Sequence, residues 1–529
     1  MVHSFRPDSS GADGKSRREF LEDAALFGAA LSLPFGALAA TPARKGGILR
    51  MSVGIAVSKL NPLHCRVTPE YLVSELLYSG LTRLGTGLNA VPDLAESWTN
   101  SPDLTEWTFK LRSGLVFHDG SGCTSEDVVA TFDAILDAKT ASPARQNIGP
   151  ITSVQARDAQ TVVFKLSAPY ADLPVALAFP NAKVVPAPVL KKGLSRLDRE
   201  AIGTGPFKLV TFEPERIVTV VRNPAYYDKD RPYLDKIEVR VYPDSTAEGS
   251  ALISGDVDAM ALVQPTEYSR LKADANVVAM RAASGQFCNV NLGCNQKPFN
   301  DIRVRKALSL TVDRKAMVDF VAEGYGSVAN DVPINSAYAY FKDLPAKRQD
   351  IAQAKKLLAE AGYPNGIDLT LIASDVPQIR TQMGVALRQM AKPAGFNINV
   401  QTMPHSTYLE QVWKKGNFYV GFYNPQPTAD AVFSLLYTST ASWNETQWNN
   451  PTFDKLIKEA QGSADKAKRA ALYGDAQKLM ADEVPSIVPV FFDMLRAKRK
   501  YVQGYEVHPR GLVFRLDYVS LGDGMPKRS

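Results

Sequence analysis

Apolar positions along the chain switch repeatedly between a period of two and a period near 3.6, the pattern of alternating strands and helices. In "TEWTFKLR", Thr105 to Arg112, the residues Trp107, Phe109 and Leu111 share one face, which predicts a half-buried strand. The Asp119-Gly120 pair marks a turn. Thr124 or Ser125 then caps a helix with Glu126 and Asp127 in its first turn, where carboxylates suit the helix dipole. "TVVFKLS" (Thr161 to Ser167) reads as a further strand, and Ile217 to Asp244 as two strands about an Asn223-Pro224 turn. Asp350 caps a helix whose stripe is Ile351, Ala354, Leu357, Leu358 and Ala361, and Gly362 ends it. "DLTLIAS" returns as a strand, and the alternation continues to Met403, predicting an α/β domain.

The first forty residues break this rhythm. Arg17 and Arg18 form a pair, an uncharged run extends from Ala24 to Ala40, and Ala37-Leu38-Ala39 supplies a small-residue cleavage pattern. The run is too short and too rich in Ala and Gly to span a bilayer well, and Pro34 and Gly36 would break its helix. The order of these features predicts a twin-arginine signal over residues 1–40, removed on export. The first cysteine is Cys65, so no lipid anchor is expected at the cleavage point. A periplasmic protein is the expectation.

The remainder of the 529 residues is long enough for two or more cored domains. The net charge of +6 is scattered, apart from "RAKRK", Arg496 to Lys500. No aromatic or Gly-rich pattern accompanies that run, so it reads as a solvated edge and not as a nucleic-acid contact. Cys288 and Cys294 sit in the strand-like "QFCNVNLGCN". Six extended residues would hold them roughly 20 Å apart, too far to bridge, so free thiols are expected.

Catalytic chemistry finds little support. None of the five histidines (His3, His64, His118, His405, His508) pairs with another at metal-ligand spacing. The chain has no C-x-x-C, H-E-x-x-H, Walker loop or G-x-S-x-G. "GTGPF", Gly203 to Phe207, lacks a third glycine, and Pro206 predicts a strand-entry turn. His118, beside its Asp-Gly turn, reads as a packing or hydrogen-bonding residue. No cofactor or metal is expected. An exported hydrolase or cofactor-dependent oxidoreductase is the other function class; spacing alone leaves a carboxylate pair or a Ser/His/Asp set open.

Six blocks, in order, carry a resemblance. "VPDLAESWTNSPDLTEWTFKLRSGLVFHDGSGCTSEDVVATFDAI" resembles the most characteristic block of the family 5 extracellular solute-binding proteins, the dipeptide-, oligopeptide- and nickel-binding receptors of ABC importers. "LNPLHCRVTPEYLVSELLYSGLTRL", "GTGPFKLVTFEPERIVTVVRNPAYY" through "SGDVDAM", "KPFNDIRVRKALSLTVDRKAMV", "AKKLLAEAGYPNG" and "NNPTFDKLIKEA" are similar to further blocks of that family. The resemblance covers roughly Gly46 to Pro509. It implies a non-catalytic, monomeric receptor with two α/β lobes, working with a small-molecule ligand, an ABC permease and, given the signal, the twin-arginine machinery. Lobe one would be 41–85, 185–282 and 487–529, with an extra subdomain at 86–184; lobe two would be 283–486. The chain would cross between lobes near Ala282 and near Ser486, making a hinge.

By place in the family pattern, the ligand site is expected in three stretches, and a fourth that follows shortly adds an aromatic wall and an amide. They hold His64 and Arg66 of "NPLHCRV", Ser374 and Asp375 of "SDVPQ", Tyr423, Asn424 and Gln426 of "VGFYNPQPTAD", and Trp443 and Asn444 of "SWNETQW". In peptide-binding relatives an acid early in the third stretch takes the ligand's ammonium, because an unpaired buried charge is costly. Here Phe422 to Gln426 lacks one and Asp430 comes late. The resemblance and this departure together imply an opine, a modified peptide or a sugar–amino acid conjugate over a plain dipeptide.

Overall fold

The computed structural model describes residues 44–86 and 88–526, so the signal and its arginine pair lie outside the described residues. Eleven strands form one mixed sheet. They are β1 (Ile48–Val53), β2 (Phe207–Glu213), β3 (Ile217–Arg222), β4 (Lys236–Val241), β5 (Ala259–Met260), β6 (Val277–Leu292), β7 (Gly326–Val328), β8 (Ile367–Ser374), β9 (Phe396–Met403), β10 (Phe418–Tyr423) and β11 (Ser486–Arg499). Their spatial order is β9-β8-β10-β6-β11-β5-β1-β4-β3-β2, with β7 also on β11. The β8–helix–β9 unit is parallel, as the alternation predicts.

The two longest of these strands join the halves of the sheet. β6 and β11 run antiparallel from Val277 opposite Arg499 to Asn291 opposite Ser486, and β11 brings the β-branched and aromatic run Ile487, Val488, Val490, Phe491 and Phe492. The ladder breaks between the pairs Ala282–Met494 and Gln286–Phe492, so Ala283, Ser284 and Gly285 bulge against the single residue Asp493. Gly285 is required there, because a Cβ would fall 2.3 Å from the Tyr338 hydroxyl. Ser284 Oγ pins the bulge by donating to the Phe492 carbonyl at 2.6 Å. Across this point β11 exchanges β7, which pairs with Phe492 to Val490, for β5, which pairs with Lys498 and Ala497.

Separate apolar clusters back the parts. Leu49, Met51, Phe207, Val239 and Val519 pack beneath β1–β4. Phe109, Phe132, Phe164 and Leu173 fill a four-stranded antiparallel sheet and its helix Ser125–Leu136. Val304, Leu308, Leu371, Leu387 and Phe396 form a core beside β8 and β9, and Phe433, Trp448, Phe453 and Tyr473 form a helical one. Local predictions hold in these elements. Trp107, Phe109 and Leu111 are the buried face of Glu106–Leu111. Thr124 and Asp127 make a reciprocal capping box, and Asp350 accepts from the Gln353 N–H at 2.8 Å to cap Ile351–Glu360. "GTGPF" bends at Gly205-Pro206 into β2 and passes close to another segment: a Cβ on Gly203 would sit 2.0 Å from the Leu77 carbonyl oxygen. All four cysteines are free.

One reading is corrected. Arg496, taken with "RAKRK" as part of a solvated edge, is buried; its guanidinium donates to the carbonyls of Glu506, Gly511 and Val513 and lies 4.3 Å from the Phe514 ring centroid. Among the described residues no helix is long and apolar enough to cross a membrane.

Candidate functional site

A cavity of about 640 Å³ is walled on one side by Arg66, Tyr71, Phe179 and Leu512, and on the other by residues after β8, β10 and helix Ala429–Leu436. The strand β10 delivers Phe422 and Tyr423 to the rim, and the loop Asn424–Pro427 turns before Thr428, whose Oγ1 caps the helix by accepting from Ala431 N–H at 3.0 Å. Asn424 Oδ1 accepts from Gln286 Nε2 at 3.0 Å, next to the bulge, which leaves the amide nitrogen for a solute. The Gln426 N–H donates to the Tyr338 hydroxyl at 3.0 Å. Tyr423 lies 6.3 Å from Trp443 between ring centroids, and Trp413 meets Trp443 edge-on at 5.5 Å. An aromatic wall with a few polar groups is what a small-molecule site requires.

Two buried ionisable groups face each other's surroundings in this wall. Arg380, in the first turn of helix Ile379–Ala391, is 7% exposed. Its guanidinium lies 5.1 Å from the Tyr408 ring centroid, and its Nε and Nη1 have no hydrogen-bond partner. Buried donors without a partner are costly. Glu445 is buried, and burial pushes its carboxyl up to about 7, against the opposing pull of Tyr423, Asn291 and Arg380. Asn291 Nδ2 donates to its Oε2 at 2.7 Å. His405 also lines the cavity, with Nδ1 2.9 Å from Ser374 Oγ; burial and then Arg380 hold its pKa down.

Of the residues expected from sequence, Arg66, Tyr423, Asn424, Gln426 and Trp443 are brought to the cavity. The others stand elsewhere. His64 Nε2 is 2.8 Å from the Thr140 carbonyl, and its Nδ1 is 3.3 Å from Asn61. Ser374 is buried behind the wall on His405 and Val376, and Asp375 is not among the lining residues. Asn444 is buried, with Nδ2 donating to the Thr438 and Trp448 carbonyls at 3.2 and 2.8 Å. Asp430 opens onto a different cavity of about 270 Å³, where burial and then Asp172 push its carboxyl up to about 6. Arg380, Tyr408, Trp413, Phe179 and Glu445 were not read from sequence. Arg380 carried a signal: it stands at the head of the stripe Met383, Gly384, Leu387, where a charge needs a reason. Glu445 also supplies a carboxyl that the loop Phe422 to Gln426 lacks. Among the described residues, no cluster of three or more His, Cys, Asp or Glu could hold a metal ion.

The family model for bacterial extracellular solute-binding proteins, family 5, matches residues 89–447. The glutathione-binding protein GsiB of Escherichia coli (strain K12) is 28% identical over 473 residues, covering 87% of this chain and 92% of that protein. Two solved periplasmic binding proteins of A. tumefaciens R10 share the fold. AgaA in complex with agropinic acid is 26% identical, with a TM-score of 0.76 over 90% of this chain and 99% of that one. MoaA in complex with mannopinic acid is 28% identical, with a TM-score of 0.74 over 91% of this chain and 100% of that one.

Proposed function

Because the chain belongs to the family 5 bacterial extracellular solute-binding proteins, we propose that it captures a peptide-like or opine-like molecule in the cleft and delivers it to the permease of an ABC importer. The observation that carries the ligand class is Arg380. Its buried guanidinium, with Nε and Nη1 without a hydrogen-bond partner, is a cation suited to a charge-assisted hydrogen bond to a carboxylate on the solute. Glu445, Asn424 and Gln426 then suit the amine, amide or hydroxyl groups of the same molecule, and Trp443 and Tyr423 its apolar body. Glutathione, agropinic acid and mannopinic acid, named with the relatives, are molecules of this kind. The carboxyl of Glu445 reopens the door to an amine that the loop alone closes.

The site residues of this reading are Arg66, Arg380, Tyr423, Asn424, Gln426, Trp443 and Glu445. Two lobes close on the solute about the bulge at Ala283–Gly285 and about Asp493 opposite it, further along β11 than Ser486. Lobe one is 41–85, 185–282 and the tail, with 86–184 as its extra subdomain. The protein works as a periplasmic monomer sent out folded by the twin-arginine route through residues 1–40.

Calorimetric titration with glutathione, mannopinic acid, agropinic acid and a plain dipeptide tests this. At least one acid binds saturably, and Arg380→Gln weakens it by about 2–5 kcal/mol, because a desolvated carboxylate is then left unpaired. Binding that survives both Arg380→Gln and Trp443→Ala places the solute elsewhere and refutes the reading.

A further inference from the structure

The second cavity, of about 270 Å³, lies between the segments 146–150 and 168–170 on one side and helix Ala429–Leu436 on the other. At roughly 30 Å³ for each water-sized group it has room for about nine. Asn147 and Leu435 line both this chamber and the solute cavity, so the two adjoin. Asp430, on the chamber wall, is 2% exposed, and its two carboxylate oxygens differ. Oδ1 accepts from Ser434 Oγ at 3.2 Å, from Gln461 Nε2 at 3.0 Å and from the Tyr473 hydroxyl at 3.2 Å, whereas Oδ2 accepts from no described residue. Gln461 Nε2 also donates to Ser434 Oγ at 3.0 Å, and Asn147 Nδ2 donates to the Pro143 carbonyl at 2.7 Å. Among the described residues nothing donates to Gln461 Oε1 or to Asn147 Oδ1. The lining thus holds three open acceptors, and no Lys, Arg or His among the described residues belongs to it. A solute group that enters must bring donors.

We propose that this chamber binds a polyhydroxyl group, with Asp430 Oδ2 as its principal acceptor. Two observations favour hydroxyls over an ammonium. A single ammonium would occupy one corner of a space this wide, while a polyol presents a donor at each carbon and lays its chain on the apolar surface of Tyr170 and Leu435. Burial and then Asp172 push the Asp430 carboxyl up to about 6, so near that pH both of its forms are present. A hydroxyl donates and accepts and serves either form; an ammonium serves only the charged one. The polyol is either an arm of the cleft solute, in which case the inference rests on the cleft reading above, or a separate molecule.

Calorimetry with four probes tests this: glutamate bearing a six-carbon polyol on its nitrogen, N-methylglutamate, N-(6-aminohexyl)glutamate and free mannitol. The proteins are wild type, Asp430→Asn, Ala431→Leu and Arg380→Gln. Ala431 lines the chamber and not the solute cavity, so a leucine there fills the chamber, spares the cleft and decides the matter should Asp430→Asn fold poorly. Wild type binds the polyol compound at least tenfold more tightly than N-methylglutamate, and both chamber variants remove that margin while N-methylglutamate binds as before. Mannitol that binds wild type, is lost in both chamber variants and is unmoved by Arg380→Gln identifies a separate molecule; a response of the conjugate alone identifies an arm of the solute. A margin that persists in both chamber variants, or the absence of any margin and of mannitol binding, overturns the polyol chamber. Tighter binding of the aminohexyl compound than of the polyol compound, lost in Asp430→Asn, overturns it in favour of an amine. In each of these cases glutamate binding that is weakened by Arg380→Gln leaves the cleft reading standing. Glutamate binding unmoved by Arg380→Gln brings down the cleft reading and the solute arm with it.

Discussion

Replacing Asp172 with Asn tests whether the contact between the four-stranded subdomain and the helical core is made when the cleft closes. The Asp172 carboxylate meets the Arg469 guanidinium on helix Lys466–Glu483, with side chains 10% and 7% exposed. Arg469 also lies 4.8 and 5.7 Å from the ring centroids of Tyr340 and Tyr473, and the neighbouring Ala171 N–H donates to the Gln461 carbonyl at 3.0 Å. Stranding one member of a buried ion pair costs about 3–5 kcal/mol. The two tyrosine faces keep part of the arginine's stabilisation, which favours the lower end, about 3 kcal/mol. If opening the cleft separates the pair, water solvates both groups in the open form and the loss falls on the closed form alone. Solute affinity then drops roughly 100-fold, while the ligand-free melting temperature barely moves. Titration with whichever acid wild type binds, a melting curve and small-angle scattering measure the three quantities. An unchanged affinity with a ligand-free melting temperature lowered by the full amount would show that the pair belongs to a permanent core, and the closure argument would fail.

Glu445→Gln should make stability less dependent on pH. Burial raises the native carboxyl from 4.5 to about 7, so the native state holds a proton that the unfolded state has released between these values. The stabilisation from this group is complete below pH 4.5 and is lost as pH rises to 7; above that, the ligand-free Gln variant should be more stable by up to about 3 kcal/mol, and denaturant melts at pH 5 and pH 8 giving equal differences would exclude it. Asn444→Ala should cost about 1–3 kcal/mol of folding stability, because two buried carbonyls lose their donor, yet leave solute affinity within a few-fold; a large affinity loss at unchanged stability would return Asn444 to the site. Lysines in place of Arg17 and Arg18 should leave the precursor in the cytoplasm on fractionation, and normal export would exclude the twin-arginine route.

What could be read from the chain was what local periodicity encodes. The face of Glu106–Leu111, the capping box at Thr124 and the β8–helix–β9 unit each depend on residues close in sequence. The cavity was legible only where a strand end delivers its residues directly, as β10 does for Tyr423, Asn424 and Gln426. Glu445 reaches the same wall because Asn291, far away on β6, holds its carboxyl, and Phe179 and Leu512 arrive from segments more than 300 residues apart. No window of sequence contains such a contact. His64 failed for a related reason: its loop does reach the cleft with Arg66, but its ring turns to the Thr140 carbonyl. The basic run Arg496 to Lys500 misled because charge counts ignore the carbonyls that a folded tail can offer one guanidinium.

The joint between the halves of the sheet follows from how β6 and β11 are built. A long antiparallel ribbon resists bending wherever its ladder is intact, since each bond broken leaves backbone groups to be satisfied again. At Ala283–Gly285 the ladder is already interrupted, and Ser284 holds the strands through its side chain at 2.6 Å instead. Rotation there gives up no pair of the β6–β11 ladder, and strains only the bond from the Asp493 N–H to the Tyr325 carbonyl at 3.1 Å. The cavity draws Arg66, Tyr71 and Phe179 from one side of this joint and Arg380, Tyr423 and Glu445 from the other. A solute touching both sides therefore gains contacts only in the closed form, and that differential binding is the whole of the force available to close it. Bridging the bulge, by deleting Ala283 and Ser284 to restore a regular ladder, should weaken binding even though no deleted residue touches the solute. Equal affinity in the shortened protein would show that the cleft closes about some other line.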